Sequence, residues 1–133
     1  MNAHLCKQYS IFLENRVGAL ADVCKIIAEK KINIHAICAI DTIEESILRI
    51  VPQNEAETLA LLKEAGFRVI ETDIILVELA NEPGATGAMA TLLSGAGINI
   101  SYVYASSSQN CSKALLVLRV SQTDEALRVL KGE

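Results

Sequence analysis

The chain has 133 residues, with 12 Lys and Arg against 16 Asp and Glu and a formal net charge of -4, so it offers no electrostatic footprint for a nucleic-acid backbone or an anionic membrane surface. Apolar residues make up 51% of it without a single tryptophan, and no apolar run approaches the roughly 18 residues of a membrane span. Met1, Asn2, Ala3 and His4 show no charged region leading into an apolar core, and a cytoplasmic protein is expected.

Taken in chain order, Tyr9, Ile11 and Leu13 alternate with Ser10 and Phe12 at the period of a half-buried strand that ends at Glu14, Asn15 and Arg16. From Gly18 the period becomes helical: Leu20, Val23 and Ile27, with Cys24 and Ile26, form one apolar stripe closed by Lys30 and Lys31. Residues 32–40 read as a strand, 41–45 as a polar turn and 47–51 as the partner strand of a hairpin. Asn54 followed by Glu57 has the form of a capping box for a helix that Gly66 ends, and 67–70 supplies a fourth strand.

The same order then repeats, from a strand at 74–79 through a helix near 85–94 and strands at 98–105 and 114–120 to a helix near 123–130. At an offset of 66 residues, Leu13, Asn15, Gly18, Ala19 and Ile32-Asn33-Ile34 fall on Leu79, Asn81, Gly84, Ala85 and Ile98-Asn99-Ile100, and Met89, Leu92 and Leu93 fall on Val23, Ile26 and Ile27. The expected fold is α+β: two βαββαβ units of ferredoxin-like type in tandem, residues 1–72 and 73–133, each an antiparallel sheet with helices on one face. The second unit lacks its last strand, because Lys131, Gly132 and Glu133 follow its second helix directly, and an open sheet edge is expected there. Residues 74–77 and 115–118 are apolar on both faces, which predicts cover on both faces and makes a homodimer packed sheet against sheet the simplest source of it.

The connection Glu14-Asn15-Arg16-Val17-Gly18-Ala19 ends a strand and opens a helix, where unpaired N–H groups and the positive end of the helix dipole favour a carboxylate. Gly18 allows close backbone approach, and Asn15 and Asn33 offer both donors and acceptors. Asn81, Pro83, Gly84, Ala85 and Asn99 repeat the arrangement. Taken singly, each glycine or asparagine also reads as an ordinary turn or capping residue; their joint recurrence is what points to a ligand.

Other chemistries find little support. Cys6, Cys24, Cys38 and Cys111 show no ligand spacing, with only His4 and His35 to help them, and read as small buried apolar residues rather than a metal site or disulfide scaffold. His35 has no nucleophile or carboxylate placed by spacing to form a dyad, so no catalytic residues are assigned. Gly84-Ala85-Thr86-Gly87 lacks the Gly-Lys-Ser/Thr of a phosphate loop, and no cofactor is expected.

The stretches 14–18 and Ile32-Asn33-Ile34, doubled as 81–84 and Ile98-Asn99-Ile100, resemble the signature of ACT domains, small ferredoxin-like regulatory modules that often bind amino acids. The resemblance covers nearly the whole chain as a tandem pair without an attached enzyme. It implies a non-catalytic allosteric sensor of amino-acid metabolism, with the ligand between two ACT units set edge to edge. The alternative is a ligand-free interaction module, a subunit of an amino-acid biosynthetic enzyme or transporter, which the unfinished edge and the doubly apolar strands of the second copy suit. Carried over by motif, the ligand-binding set is Asn15, Val17, Gly18, Ala19, Asn33 and Ile34, with Asn81, Pro83, Gly84, Ala85, Asn99 and Ile100. Serine-binding relatives tend to carry a histidine two positions before the loop asparagine, whereas Leu13 and Leu79 stand there in this chain, and Val17 replaces the proline that the second copy keeps as Pro83.

Overall fold

A computed structural model describes all residues, 1–133. Its elements are β1 (Asn2–Glu14), α1 (Ala19–Glu29), β2 (Ile34–Asp41), β3 (Glu45–Pro52), α2 (Glu55–Glu64), β4 (Val69–Ala80), α3 (Ala85–Gly95), β5 (Ile100–Ser106), β6 (Lys113–Val120) and α4 (Thr123–Lys131). The α+β class and the doubled order of strands and helices agree with the sequence reading. No helix is long and apolar enough to cross a membrane.

The chain divides into two compact units. The first, Lys7–Thr72, has the strand order β2-β3-β1-β4. Antiparallel pairing sets Tyr9 opposite Ile50 and Leu13 opposite Ser46. Tyr9, Ile11, Leu13, Leu48 and Ile50 bury one sheet face against Val23 and Ile27 of α1 and Leu62 of α2. The second, Met1–Cys6 with Asp73–Glu133, has the order β1-β4-β6-β5. Its Ile75, Val77, Leu79, Leu116 and Leu118 bury the helix-facing side against Met89 and Leu93 of α3 and Ala126 and Leu130 of α4.

Several expectations are corrected at this level. The stretches read as separate strands at 67–70 and 74–79 join in one 12-residue strand, β4, which starts only at Val69, and β1 runs from Asn2 instead of starting near Tyr9. Each long strand serves both units, its residues dividing between Cys6 and Lys7 in β1 and between Thr72 and Asp73 in β4. No strand follows α4, as expected, but the edge it would have filled is not open: the start of β1 lies beside β4, and Ala3 is packed in the second unit's core. The unit boundary thus departs from 1–72 by the first six residues.

The inference from doubly apolar strands to a second copy also loses its premise. Ile74, Leu76 and Val117, on the faces turned from the helices, are already buried within one chain. At the surface, Leu20 and Leu92 are about half exposed although they were read as part of the apolar stripes. Cys6, Cys24 and Cys38 are only partly buried and Cys111 is exposed, so none is the buried residue anticipated.

Local chemistry explains the ends of the elements. The Asn54 side chain accepts from the Glu57 N–H at 3.1 Å and caps α2, as its spacing predicts. Tyr9 is fully buried and its hydroxyl donates to the Glu55 carbonyl at 3.1 Å, tying β1 to the start of α2. Burial first, then the nearby Glu71 and Glu55 carboxylates, push its ionisation up to about 12, against a smaller opposing effect from Lys7. The unfolded chain releases this proton near 10, so above that pH unfolding gains and stability falls as pH rises from 10 toward 12. Tyr9→Phe is expected to flatten this tyrosine's part of the alkaline decline, read from urea midpoints of the two proteins across pH 9–12.

Candidate functional site

The two strand-to-helix connections match bond by bond. In the first unit the Arg16 N–H donates to the Glu14 carbonyl (2.9 Å), Ala19 to Arg16 (3.4 Å) and Asp22 to Gly18 (3.0 Å). In the second, Glu82 donates to Ala80 (3.0 Å), Ala85 to Glu82 (3.3 Å) and Ala88 to Gly84 (2.9 Å). Gly18 and Gly84 stand at the helix N-caps with φ of 87° and 88°, the left-handed region that a side chain resists. Neither helix has a side-chain cap, in contrast to α2 with Asn54. The N–H groups that these bonds leave over, of Leu20 and Ala21 in α1 and of Thr86 and Gly87 in α3, therefore face outward with the positive end of the helix dipole.

The two loop asparagines have the same job. Asn15 Nδ2 donates to Asp41 Oδ1 at 2.8 Å, at the hairpin that joins β2 and β3. Asn81 Nδ2 donates to the Ser108 and Cys111 carbonyls at 2.8 and 2.9 Å, at the hairpin that joins β5 and β6. Each amide NH2 thus fastens the connection to the neighbouring hairpin, and the carboxamide oxygen makes no such bond.

The electrostatics of the two connections differ. Arg16 lies across the start of α1, with its guanidinium 2.9 Å from Asp22 Oδ2 and 3.5 Å from Glu14 Oε2. A cavity of about 230 Å³ opens beside it, lined by Phe12, Leu13, Arg16, Ala19, Asp22 and Phe67. At α3 the corresponding residues are Glu82 and Ala88, and no acidic side chain lies in the first turn. Val17 is fully exposed at the loop tip, Pro83 is exposed, and Ala19 and Ala85 turn toward their own cores.

Asn33-Ile34 and Asn99-Ile100 do not join these loops. Each of α1 and α3 has 11 residues, a rise of about 16 Å, and delivers the chain to the opposite end of its unit. There the Asn33 carbonyl accepts from the Gln53 N–H at 2.8 Å, and the Asn99 carbonyl accepts from Ser121 at 3.1 Å. The exposed side-chain amides of Asn33 and Asn99 bond to no group of the chain. Asn99 and Ile100 line a separate cleft of about 420 Å³ with Ala90, Ser94 and Gly97. The twelve residues assigned from sequence thus divide, in each unit, into a loop group and an opposite-end group. Sequence reasoning missed Arg16, Asp22 and Asp41, whose pairings join positions six and 26 residues apart with no motif to mark them.

Comparison with known proteins fits this architecture. A family model described as an ACT domain pair matches residues 4–132. The Bacteroides thetaiotaomicron protein BT0572 is 34% identical, with 99% of this chain and 90% of that one covered and a TM-score of 0.90. The regulatory subunit of aspartate kinase from Thermus thermophilus, in its ligand-free form, is 17% identical over 99% and 96% of the two chains with a TM-score of 0.70. Its counterpart from Thermus flavus is 20% identical over the same shares with a TM-score of 0.62; at these identities the likeness shows the fold alone. No curated protein matches. The chain belongs to the family of paired ACT domains.

Proposed function

We propose that this ACT pair is a non-catalytic regulatory protein that senses an amino acid, whose carboxylate is received at the start of α3 and, more weakly, of α1. The observation that carries this reading is the repeated, uncapped helix N-terminus opened by a left-handed glycine. Such an end holds several N–H donors in one direction and favours an anion. In α1 the Asp22 carboxylate already occupies part of that field and is itself held by Arg16. The first turn of α3 has no acid, and this end is the stronger candidate.

Helix-end attraction supplies only about 0.3–1 kcal/mol, so hydrogen bonds to the ammonium and side chain must provide the selectivity. The carboxamide oxygens of Asn15 and Asn81 remain as acceptors for an ammonium, since their NH2 groups are committed to the hairpins. Membership of the paired ACT domain family, whose fold the aspartate kinase regulatory subunits share, supports a regulatory role.

A second reading is an interaction subunit without a ligand. It is favoured by the outer strands β2 and β5, each paired on one side only, with Ile37, Ile40 and Val103 exposed along them. Those edges suit pairing with a second copy or with an enzyme subunit. Thermal melting against each of the twenty amino acids at millimolar concentration separates the readings. A selective rise in midpoint is expected for a sensor, because binding to the folded state must stabilise it, and a flat response to all twenty would leave only the interaction role.

A further inference from the structure

We propose that the second unit carries an additional binding site, on the sheet face turned from its helices, for a small zwitterion whose ammonium meets Glu78 and whose carboxylate meets Lys113. A pocket of about 310 Å³ lies there, lined by Glu78, Ser106, Ser108, Cys111, Lys113 and Leu115 among others. Its floor follows from the register. Glu78 stands opposite Leu115 and Ala80 opposite Lys113, so Glu78 and Lys113 share a face as diagonal neighbours about 7–8 Å apart at their Cα atoms. Leu116 and Leu118, on the other face, are in the core with α3 and α4.

The wall is a loop that the first unit lacks in this form. Ile34 pairs with Pro52 and Ile100 with Val120, so the offset between the units grows from 66 to 68 residues across the hairpin. The two additional residues belong to the connection between Ser106 and Lys113, which contains Ser107, Ser108 and Ser112. Asn81 straps this loop down through the Ser108 and Cys111 carbonyls, and its own N–H donates to Ser112 at 2.9 Å. Ser108 Oγ and Cys111 Sγ lie 3.1 Å apart.

The first unit shows what the site lacks. By register, Glu78 corresponds to Phe12, Leu115 to Ile47 and Lys113 to Glu45. There the Arg68 guanidinium lies 3.9 Å over the Phe12 ring and 3.7 Å from Glu45 Oε2, so that unit covers the position with a cation of its own. In the second unit the neighbour of Glu78 on the next strand is Asn2, whose amide reaches it at 3.5 Å and brings no charge. The Lys113 ammonium makes no ion pair or hydrogen bond in the chain, and the two charges are not closed on each other. A ligand with both signs supplies the missing cation to Glu78 and an anion to Lys113, within reach of the serine hydroxyls. Both charged side chains are exposed, so binding in the millimolar range is expected.

The test is an amide-resolved NMR titration of the full chain with glycine, the smallest such zwitterion, with acetate and methylammonium as single-charge controls. Glycine is expected to shift the amides of residues 106–115 and of Glu78 more than either control. Lys113→Met and Glu78→Gln should each weaken that response by about fivefold, and Asn2→Arg should abolish it by giving Glu78 an internal guanidinium, as Arg68 does in the first unit. A site at the start of α3 would instead move residues 84–88 and would be indifferent to Lys113→Met, so the two sites fail independently. The proposal is overturned if glycine leaves residues 106–115 unmoved, or if their response survives in both charge variants with wild-type spectral dispersion.

Discussion

Removing Met1–Cys6 is expected to cost the second unit most of its stability while the first remains protected. Ala3 is 3% exposed and packs with Ile75, Val77 and Leu79, and the strand it belongs to neighbours β4. Without it, Asp73–Ala80 has a bare edge and the core beneath it loses a wall. Each ladder hydrogen bond is worth about 0.5–1.5 kcal/mol net, so losing several removes a large part of the about 5–15 kcal/mol that holds a domain folded. Ala3→Asp asks the same question with one side chain, by placing an unpaired carboxylate in that core, at a cost of about 3–5 kcal/mol. Hydrogen exchange provides the readout: protection should collapse in residues 73–80 and 114–120 and persist in 47–51. Equal protection in the truncated and full chains would show that the second unit folds without its first strand.

That strand is also the part of the fold least legible in the sequence. The doubling could be read because the Asn, Gly and Asn-Ile positions recur at one offset and the core positions Val23 and Ile27 reappear as Met89 and Leu93. The start of β1 carries no alternation: Ala3 is buried, while Leu5, the larger apolar residue, is 43% exposed. Pattern reading weighs size and hydrophobicity and so overlooks a strand whose inward residue is an alanine. The break expected between residues 70 and 74 failed for a related reason. Glu71, Thr72 and Asp73 look like a turn, but they lie inside β4, where Glu71 meets Lys7 at 3.5 Å.

The candidate site was legible as a set of residues but not as a place. Both connections were identified from their glycines, and the left-handed φ at Gly18 and Gly84 is the physical reason those positions recur. Within each unit Asn33 does not stand beside Asn15, nor Asn99 beside Asn81, because the intervening helix carries the chain to the far end of the unit. The asparagine side chains show the limit of residue type as a guide. All four offer the same chemistry, yet two hold hairpins through their NH2 groups and two bond to nothing in the chain.

If the start of α3 receives a carboxylate, Thr86→Asp should raise stability and lower affinity together. Thr86 follows Ala85 in the first turn, is exposed, and lies in a turn that has no acid. A carboxylate introduced there gains about 0.3–1 kcal/mol from the helix end, so the melting midpoint of the free protein rises. The same charge occupies the N–H groups the ligand needs and repels its carboxylate, and a loss of at least about tenfold in affinity is expected, close to 1.4 kcal/mol. The first unit contains a natural version of this arrangement, since Asp22 already lies in the first turn of α1 with Arg16 upon it. Opposite signs make the experiment decisive, because a substitution that merely disturbed the loop would lower both quantities. Calorimetry with whichever amino acid stabilises the wild-type protein supplies the affinities, and unchanged binding in a stabilised Thr86→Asp protein would exclude this helix end as the carboxylate's seat.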